Sequence, residues 1–489
     1  MKKITGLIVL VFASIVFMGC EENKMKENET EQPSFESVNY TTVTRGYDWG
    51  PAIDKLILDF DVPIDGSTLD IETFSVKSIR TYKESDFFGQ EKSEATEKVA
   101  ERIITKVYIC DESGNEALEG EYVALEMEVS PTMVEASPYN YDFSSGLNEM
   151  VDTTYEISIS EDSILKSVYG EDISFASTGK GEKAGDIKIV ADDFINNQPF
   201  SYEGIDLHYA YFVPQEAAQK EGSMPLIIWL HGAGEGGRET SVALLGNKVV
   251  NLASDEIQSF FGEEGAYVLV PQAPTMWMDY DGSGTYNINV KDSQGHSYYT
   301  EALMALIDEF VSNNENIDKD RIYIGGCSNG GYMTVNMIIN YPDYFAAAFP
   351  ICEAYSAKWL NVEMIKDIVD MPIWLTHALT DSTVPITEGS ISADYSSYKV
   401  KKDENGEPIL KDEFSNALYD RLMEAGAENI HYSRFENVVD TTGIYKSPDG
   451  NPYEYNGHWS WIYVLNNECI EKIDNEDVSI FEWLSRQSK

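Results

Sequence analysis

The feature that constrains this chain most lies past its middle. Arg321-Ile322-Tyr323-Ile324-Gly325, which reads as a strand, runs without a break into Gly326-Cys327-Ser328-Asn329-Gly330-Gly331, and a helical stretch follows from Tyr332 to Asn340. A strand that turns so abruptly into a helix belongs to a sheet with helices packed on it, because only the sheet can bury the apolar stripe of the helix. Small residues on either side of Ser328 fit a turn too crowded for larger side chains. A serine hydroxyl is a weak nucleophile until a base removes its proton, and a tight strand-to-helix turn holds it where base and substrate can both reach it.

The surrounding sequence repeats the alternation. Pro225 to Leu230 is nearly all apolar, as a strand covered on both faces should be, and Tyr267 to Pro271 follows the same pattern. Leu303, Leu306, Ile307, Phe310 and Val311 fall at helical spacing, which predicts a helix over 298–313. Strands at Ile373 to Thr376 and His431 to Phe435, with a helix from about Ser415 to Ala425 between them, complete an α/β pattern without internal repeats.

His231-Gly232-Ala233-Gly234-Glu235-Gly236-Gly237 directly follows the first of these strands. Glycines there let backbone N–H groups approach a substrate, so the N–H groups of Ala233 and Asn329 are the expected oxyanion donors. A phosphate cradle would need a Lys-Ser/Thr ending that this loop lacks. An acid and a base should follow the serine in that order. Position favours Asp381, in the loop after Ile373 to Thr376, over Glu388, Asp420 and Asp440. Only His431 and His458 lie beyond it; His431 sits inside a strand, whereas His458 is on a loop opening a helix and suits the base better. His208, His231, His296 and His377 read as structural, and no histidines are spaced as metal ligands.

The first half has a different texture. From about Val43 to Ile173, short alternating runs such as Lys55 to Phe60, Ile103 to Ile109, Tyr122 to Met127 and Tyr155 to Ile159 are separated by turn clusters, and only a charged patch at 91–102 is ambiguous. This predicts a β-sandwich, with a boundary in the Thr178 to Gly185 stretch. Ahead of it, Lys2 and Lys3, an apolar run from Ile4 to Met18, and Gly19-Cys20 read as an export signal whose apolar run is too short to span a membrane. The expected units are therefore a signal peptide at 1–20, a polar linker at 21–40, a β-sandwich at 41–182, which the resemblance given below implies is immunoglobulin-like, and an α/β domain at 183–489. The other four cysteines are widely spaced with no C-x-x-C pair, so neither a zinc site nor a disulfide framework is expected. With 35 basic and 84 acidic residues the net charge is −49, which repels phosphate backbones and anionic lipid surfaces and argues against nucleic-acid binding.

The series Trp229 to Glu235, Pro271-Gln272-Ala273-Pro274 with Trp277, Asp320 to Gly331, Tyr341-Pro342-Asp343, Asp381 with Val384-Pro385, and His458 with Trp461 resembles α/β-hydrolase serine esterases. The resemblance is to bacterial esterases with an N-terminal immunoglobulin-like domain, related to polyhydroxybutyrate-depolymerase-like and feruloyl-esterase-like enzymes and to the prolyl oligopeptidase catalytic domain. It implies Ser328 as nucleophile, Asp381 as orienting acid and His458 as general base, with no cofactor or metal. Gly19-Cys20 likewise resembles a lipoprotein lipobox, which implies acylation of Cys20, an extracellular, surface-anchored protein, and membrane attachment only through that lipid. The expected substrate is a small-molecule or polysaccharide-linked ester, with acyl or feruloyl groups as examples. The alternatives are a peptidase of the prolyl-oligopeptidase type and a surface glycan-binding protein on a hydrolase scaffold. The extensions at 388–414 and 438–456 are expected to wall the pocket.

Overall fold

Seven-residue strand Met224–Leu230, buried along its whole length, stands near the middle of an eight-stranded sheet in this computed structural model. The structure describes residues 34–35, 38–84, 94–175, 182–214, 224–284, 295–392 and 397–489; the export signal, Cys20 and most of the linker lie outside the described residues. In spatial order the sheet runs Ile195–Tyr202, Ile205–Phe212, Tyr267–Gln272, Met224–Leu230, Ile317–Cys327, Ala347–Ile351, Ile373–Ala378 and Ile430–Phe435. The first two pairings are antiparallel and the rest parallel. Parallel strands covered on both faces must be apolar throughout. One face packs Leu226, Ile228 and Ile324 under helix Thr300–Asn313 and helix Asn329–Asn340, and the other packs Trp229, Phe349 and Trp374 against the C-terminal helices. This is an α/β-hydrolase fold.

The N-terminal half is an immunoglobulin-like sandwich. One sheet carries Lys183–Lys188, Asn39–Tyr47, Gly50–Asp59, Tyr122–Met127 and Ile104–Cys110; the other carries Asp152–Ile159, Phe74–Tyr82 and Thr96–Arg102. Tyr40, Leu56, Leu58, Phe74, Val123 and Tyr155 fill the space between them. Within the ambiguous charged patch at 91–102, of which residues 91–93 lie outside the described residues, Thr96–Arg102 is a strand whose outward residues are exposed on an edge. Strand Lys183–Lys188 pairs in parallel with Tyr40 to Thr44, so by pairing the sandwich extends to Lys188 rather than ending at 182. Its charged residues read as linker because only one face of this edge strand meets the protein.

The halves meet through specific contacts. Tyr139 Oη donates to the Ser241 carbonyl at 3.2 Å, and Lys248 Nζ bridges Asp48 and Asn466 at 2.9 Å each. A two-stranded hairpin of the sandwich, Tyr139–Asp142 with Leu147–Met150, reaches over the glycine loop at 232–237. Cys110, Cys327, Cys352 and Cys469 are all free and buried.

Candidate active site

The turn after strand Ile317–Cys327 puts Ser328 at φ 55°, ψ −113°, a backbone conformation that costs an ordinary residue on the order of 1–3 kcal/mol and is kept where packing enforces it. The enforcement is visible at the flanking glycines. A Cβ at Gly326 would lie 2.8 Å from the Leu230 Cβ, and one at Gly330 would lie 2.7 Å from the His231 carbonyl oxygen. The turn is thus wedged against the glycine loop, which brings the two sequence motifs together.

His458 Nε2 lies 2.9 Å from Ser328 Oγ, and His458 Nδ1 lies 2.7 Å from Asp381 Oδ2. Asp381 is fully buried, and its other oxygen accepts the N–H groups of Thr383 and Val384 at 2.8 Å each. Burial pushes this carboxyl up, but the charge of His458 and hydrogen bonds from His377 and His458 outweigh it, so the group lies well below the usual carboxylate range. Asp381 is therefore ionised at neutral pH and can only accept. His458 Nδ1 must carry a hydrogen, which leaves Nε2 free to take the Ser328 proton. His431, by contrast, stacks on Trp374 and pairs with Glu471, on the sheet's far edge.

The glycine loop has its own scaffold. His231 is buried, its Nδ1 donating to the Gly232 carbonyl at 2.7 Å and its Nε2 accepting from Ala273 N–H at 3.1 Å; burial pushes its ring down to about 4, so it stays neutral. Among the described residues no hydrogen bond takes the N–H of Ala233 or of Asn329. The Asn329 side chain accepts from Trp277 N–H at 2.6 Å, fixing the start of helix Asn329–Asn340. Glu235 turns its carboxyl inward, where Asn247 donates at 3.2 Å and Asn148 of the sandwich hairpin at 3.4 Å; burial pushes it up to about 7.

Ser328 and His458 open onto a cavity of about 780 Å³. Its walls come from both halves: Gly232 to Glu235 and Trp459 from the hydrolase, and Trp49, Tyr141 and Phe143 from the sandwich. The described lining holds two carboxyls, Asp48 and Glu235, and no lysine or arginine. The extensions at 388–414 and 438–456 contribute none of the described lining, against expectation. They fold back on themselves, the second through pairings of Val439 with Glu454 and Lys446 with Pro452, and Tyr445 packs edge-on against Trp49 instead. Sequence reasoning missed the sandwich residues of the wall, which are distant in the chain from the residues they face, and the second histidine on Asp381, His377, which lies only four residues away but reads as structural at the end of a strand.

Comparisons with known proteins bear on this arrangement. Residues 39–169 match the family described as esterase Ig-like N-terminal domain, and residues 214–420 match the phospholipase/carboxylesterase family. A solved thermostable esterase aligns over 93% of this chain and 100% of its own, with 25% identity and a TM-score of 0.66. The chain is a serine hydrolase acting on carboxylic esters. A ferulic acid esterase aligns with 49% of this esterase and 88% of itself, at 14% identity and a TM-score of 0.33, too low to carry an argument. No curated protein matches the esterase. Ser328 and Asp381 lie inside the carboxylesterase match and His458 lies past its end.

Proposed function

We propose that the protein is an exported carboxylesterase working through an acyl-enzyme. Ser328 Oγ attacks the ester carbonyl while His458 Nε2 takes its proton, and Asp381 holds the imidazolium that forms. The N–H groups of Asn329 and Ala233 receive the oxyanion of the tetrahedral intermediate. His458 returns the proton to the leaving alcohol, then removes one from water, which releases the acid and restores Ser328. The observation that carries this reading is the unbroken hydrogen bonding from Ser328 through His458 to Asp381 at the floor of a cavity.

The aromatic lining and the absence of cationic groups among the described lining residues support a neutral ester, such as an acyl or feruloyl group carried on a sugar, over an anionic one. Export and acylation at Cys20 rest on the N-terminal pattern.

The test is hydrolysis of p-nitrophenyl esters from acetate to octanoate, and of methyl ferulate, by the signal-free protein and its Ser328→Ala variant. Loss of all turnover in the variant supports the reading, and the series gives the acyl preference. Turnover that survives in the variant refutes Ser328 as nucleophile. If the unmodified protein is inert on every ester, peptide and glycan assays test the two alternatives. Palmitate labelling of the full chain that persists in Cys20→Ser refutes the anchor.

A further inference from the structure

Asp381 is held by two imidazoles. His377, fully buried at the end of strand Ile373–Ala378, places Nε2 3.1 Å from Asp381 Oδ2, the same oxygen that His458 engages, and 2.9 Å from the Val384 carbonyl. Both neighbours of that nitrogen are acceptors, so Nε2 must carry a hydrogen. Its Nδ1 lies 2.9 Å from Ser415 Oγ, in the first turn of helix Phe414–Ala425. In the neutral ring Nδ1 accepts the Ser415 proton, which fixes the tautomer that donates toward Asp381. The chain of contacts therefore extends from Ser328 through His458, Asp381 and His377 to Ser415, across five separate loops and elements.

We infer that His377, with its tautomer set by Ser415, is a positioning residue for ester hydrolysis, sharing the charge of Asp381 with His458. This rests on the triad reading above and goes beyond it. A donor on Asp381 Oδ2 does two things. It stops the carboxylate from rotating away from His458, and it withdraws electron density that would otherwise bind an imidazolium more strongly. Without it, His458 would be held protonated to higher pH and fewer molecules would carry a free base. The ionisable groups facing His458 are Asp381, Cys352 at the end of strand Ala347–Ile351, and Glu235 from the glycine loop. Those facing His377 are Asp381 directly, and Glu353 and Tyr432 behind Ser415.

The test is the pH dependence of kcat and KM on a p-nitrophenyl ester for His377→Phe, His377→Gln and Ser415→Ala, with His431→Phe as the control at a half-buried histidine outside the site. His377→Phe keeps the volume and removes the donor; it should lower kcat about 10- to 100-fold with KM within about twofold. Its acid limb should move up by about 0.5 pH unit. His377→Gln, whose amide nitrogen can reach the same carboxylate oxygen, should recover most of kcat. Ser415→Ala should move the limb the same way by less. An acid limb that stays put or moves down in folded His377→Phe overturns the inference, as does a Gln variant no better than Phe, or an equal shift in His431→Phe. If His377→Phe does not fold, an unmoved limb in Ser415→Ala overturns it. Activity surviving in Ser328→Ala would instead overturn the triad reading, so the two failures are distinguishable.

Discussion

Glu353 offers a stability test separate from catalysis. It is fully buried after strand Ala347–Ile351; Oε2 accepts the Tyr355 N–H at 2.6 Å, while Oε1 has no hydrogen-bond partner among the described residues. Burial, with the nearby charge of Glu413 adding to it, pushes the carboxyl from an ordinary 4.5 up to about 8. The group is thus protonated in the folded protein at neutral pH and ionised in the unfolded chain. Its stabilising contribution is fully present below the unfolded value and is lost as pH rises toward the folded one. The loss is about 1.4 kcal/mol per pH unit, or on the order of 5 kcal/mol across that window. Glu353→Gln keeps the acceptor for Tyr355 N–H and cannot ionise, so its stability curve should lack this fall. The assay is guanidinium unfolding from about pH 5 to 9, followed by tryptophan emission. Seven of the eight tryptophans lie in the hydrolase half, so the signal reports the relevant unit. Taking the difference between the two proteins removes the other carboxylates, including Asp381, whose contribution has the opposite sign. Parallel curves for variant and parent would refute the reasoning.

Three further outcomes are expected. Asp381→Asn should leave folding intact and lower kcat by about 10³- to 10⁴-fold, because an amide can hold His458 in the wrong tautomer; steady-state kinetics with a thermal melt checks it. His458→Ala should lower kcat by at least about 10³-fold with folding intact, and near-parent turnover in that variant would count against His458 as base. Gly330→Ala forces a Cβ into the Leu230 and His231 backbone, so it should abolish activity and lower the melting temperature, whereas Gly406→Ala, strained only locally by its φ of 87° in an extension that gives nothing to the described cavity lining, should leave turnover unchanged.

Much of this was legible because periodicity and glycine placement are local signals. The strand at Pro225 to Leu230, the helices near 300–313 and 415–425, and the turn at Ser328 appear where their apolar spacing put them. Ala347–Ile351 was not read as a strand from its residues, since Ala-Ala-Phe-Pro-Ile has little intrinsic strand preference; burial between two neighbours decides it. Ile195–Tyr202 was missed for a different reason: it is an edge strand, with Asn196, Asn197 and Pro199 breaking the alternation. Within the site, Asp381 and His458 follow from chain order, and Asn148 on Glu235 exists only once distant segments are folded together, whereas His377 lies four residues before Asp381 and escapes notice because it reads as the end of a strand.

The sandwich hairpin beside Ser328 has one more consequence. The sheet that holds Ser328 and the hairpin that faces the cavity are encoded far apart, and the hairpin reaches the glycine loop through contacts such as Asn148 with Glu235. Changes at Tyr141 or Phe143 can therefore reshape what the cavity admits without disturbing the strand-to-helix turn. Chemistry and selectivity sit on separate substrates for evolution: the range of esters accepted can drift through the first half of the chain while the bond-breaking apparatus in the second half stays as it is.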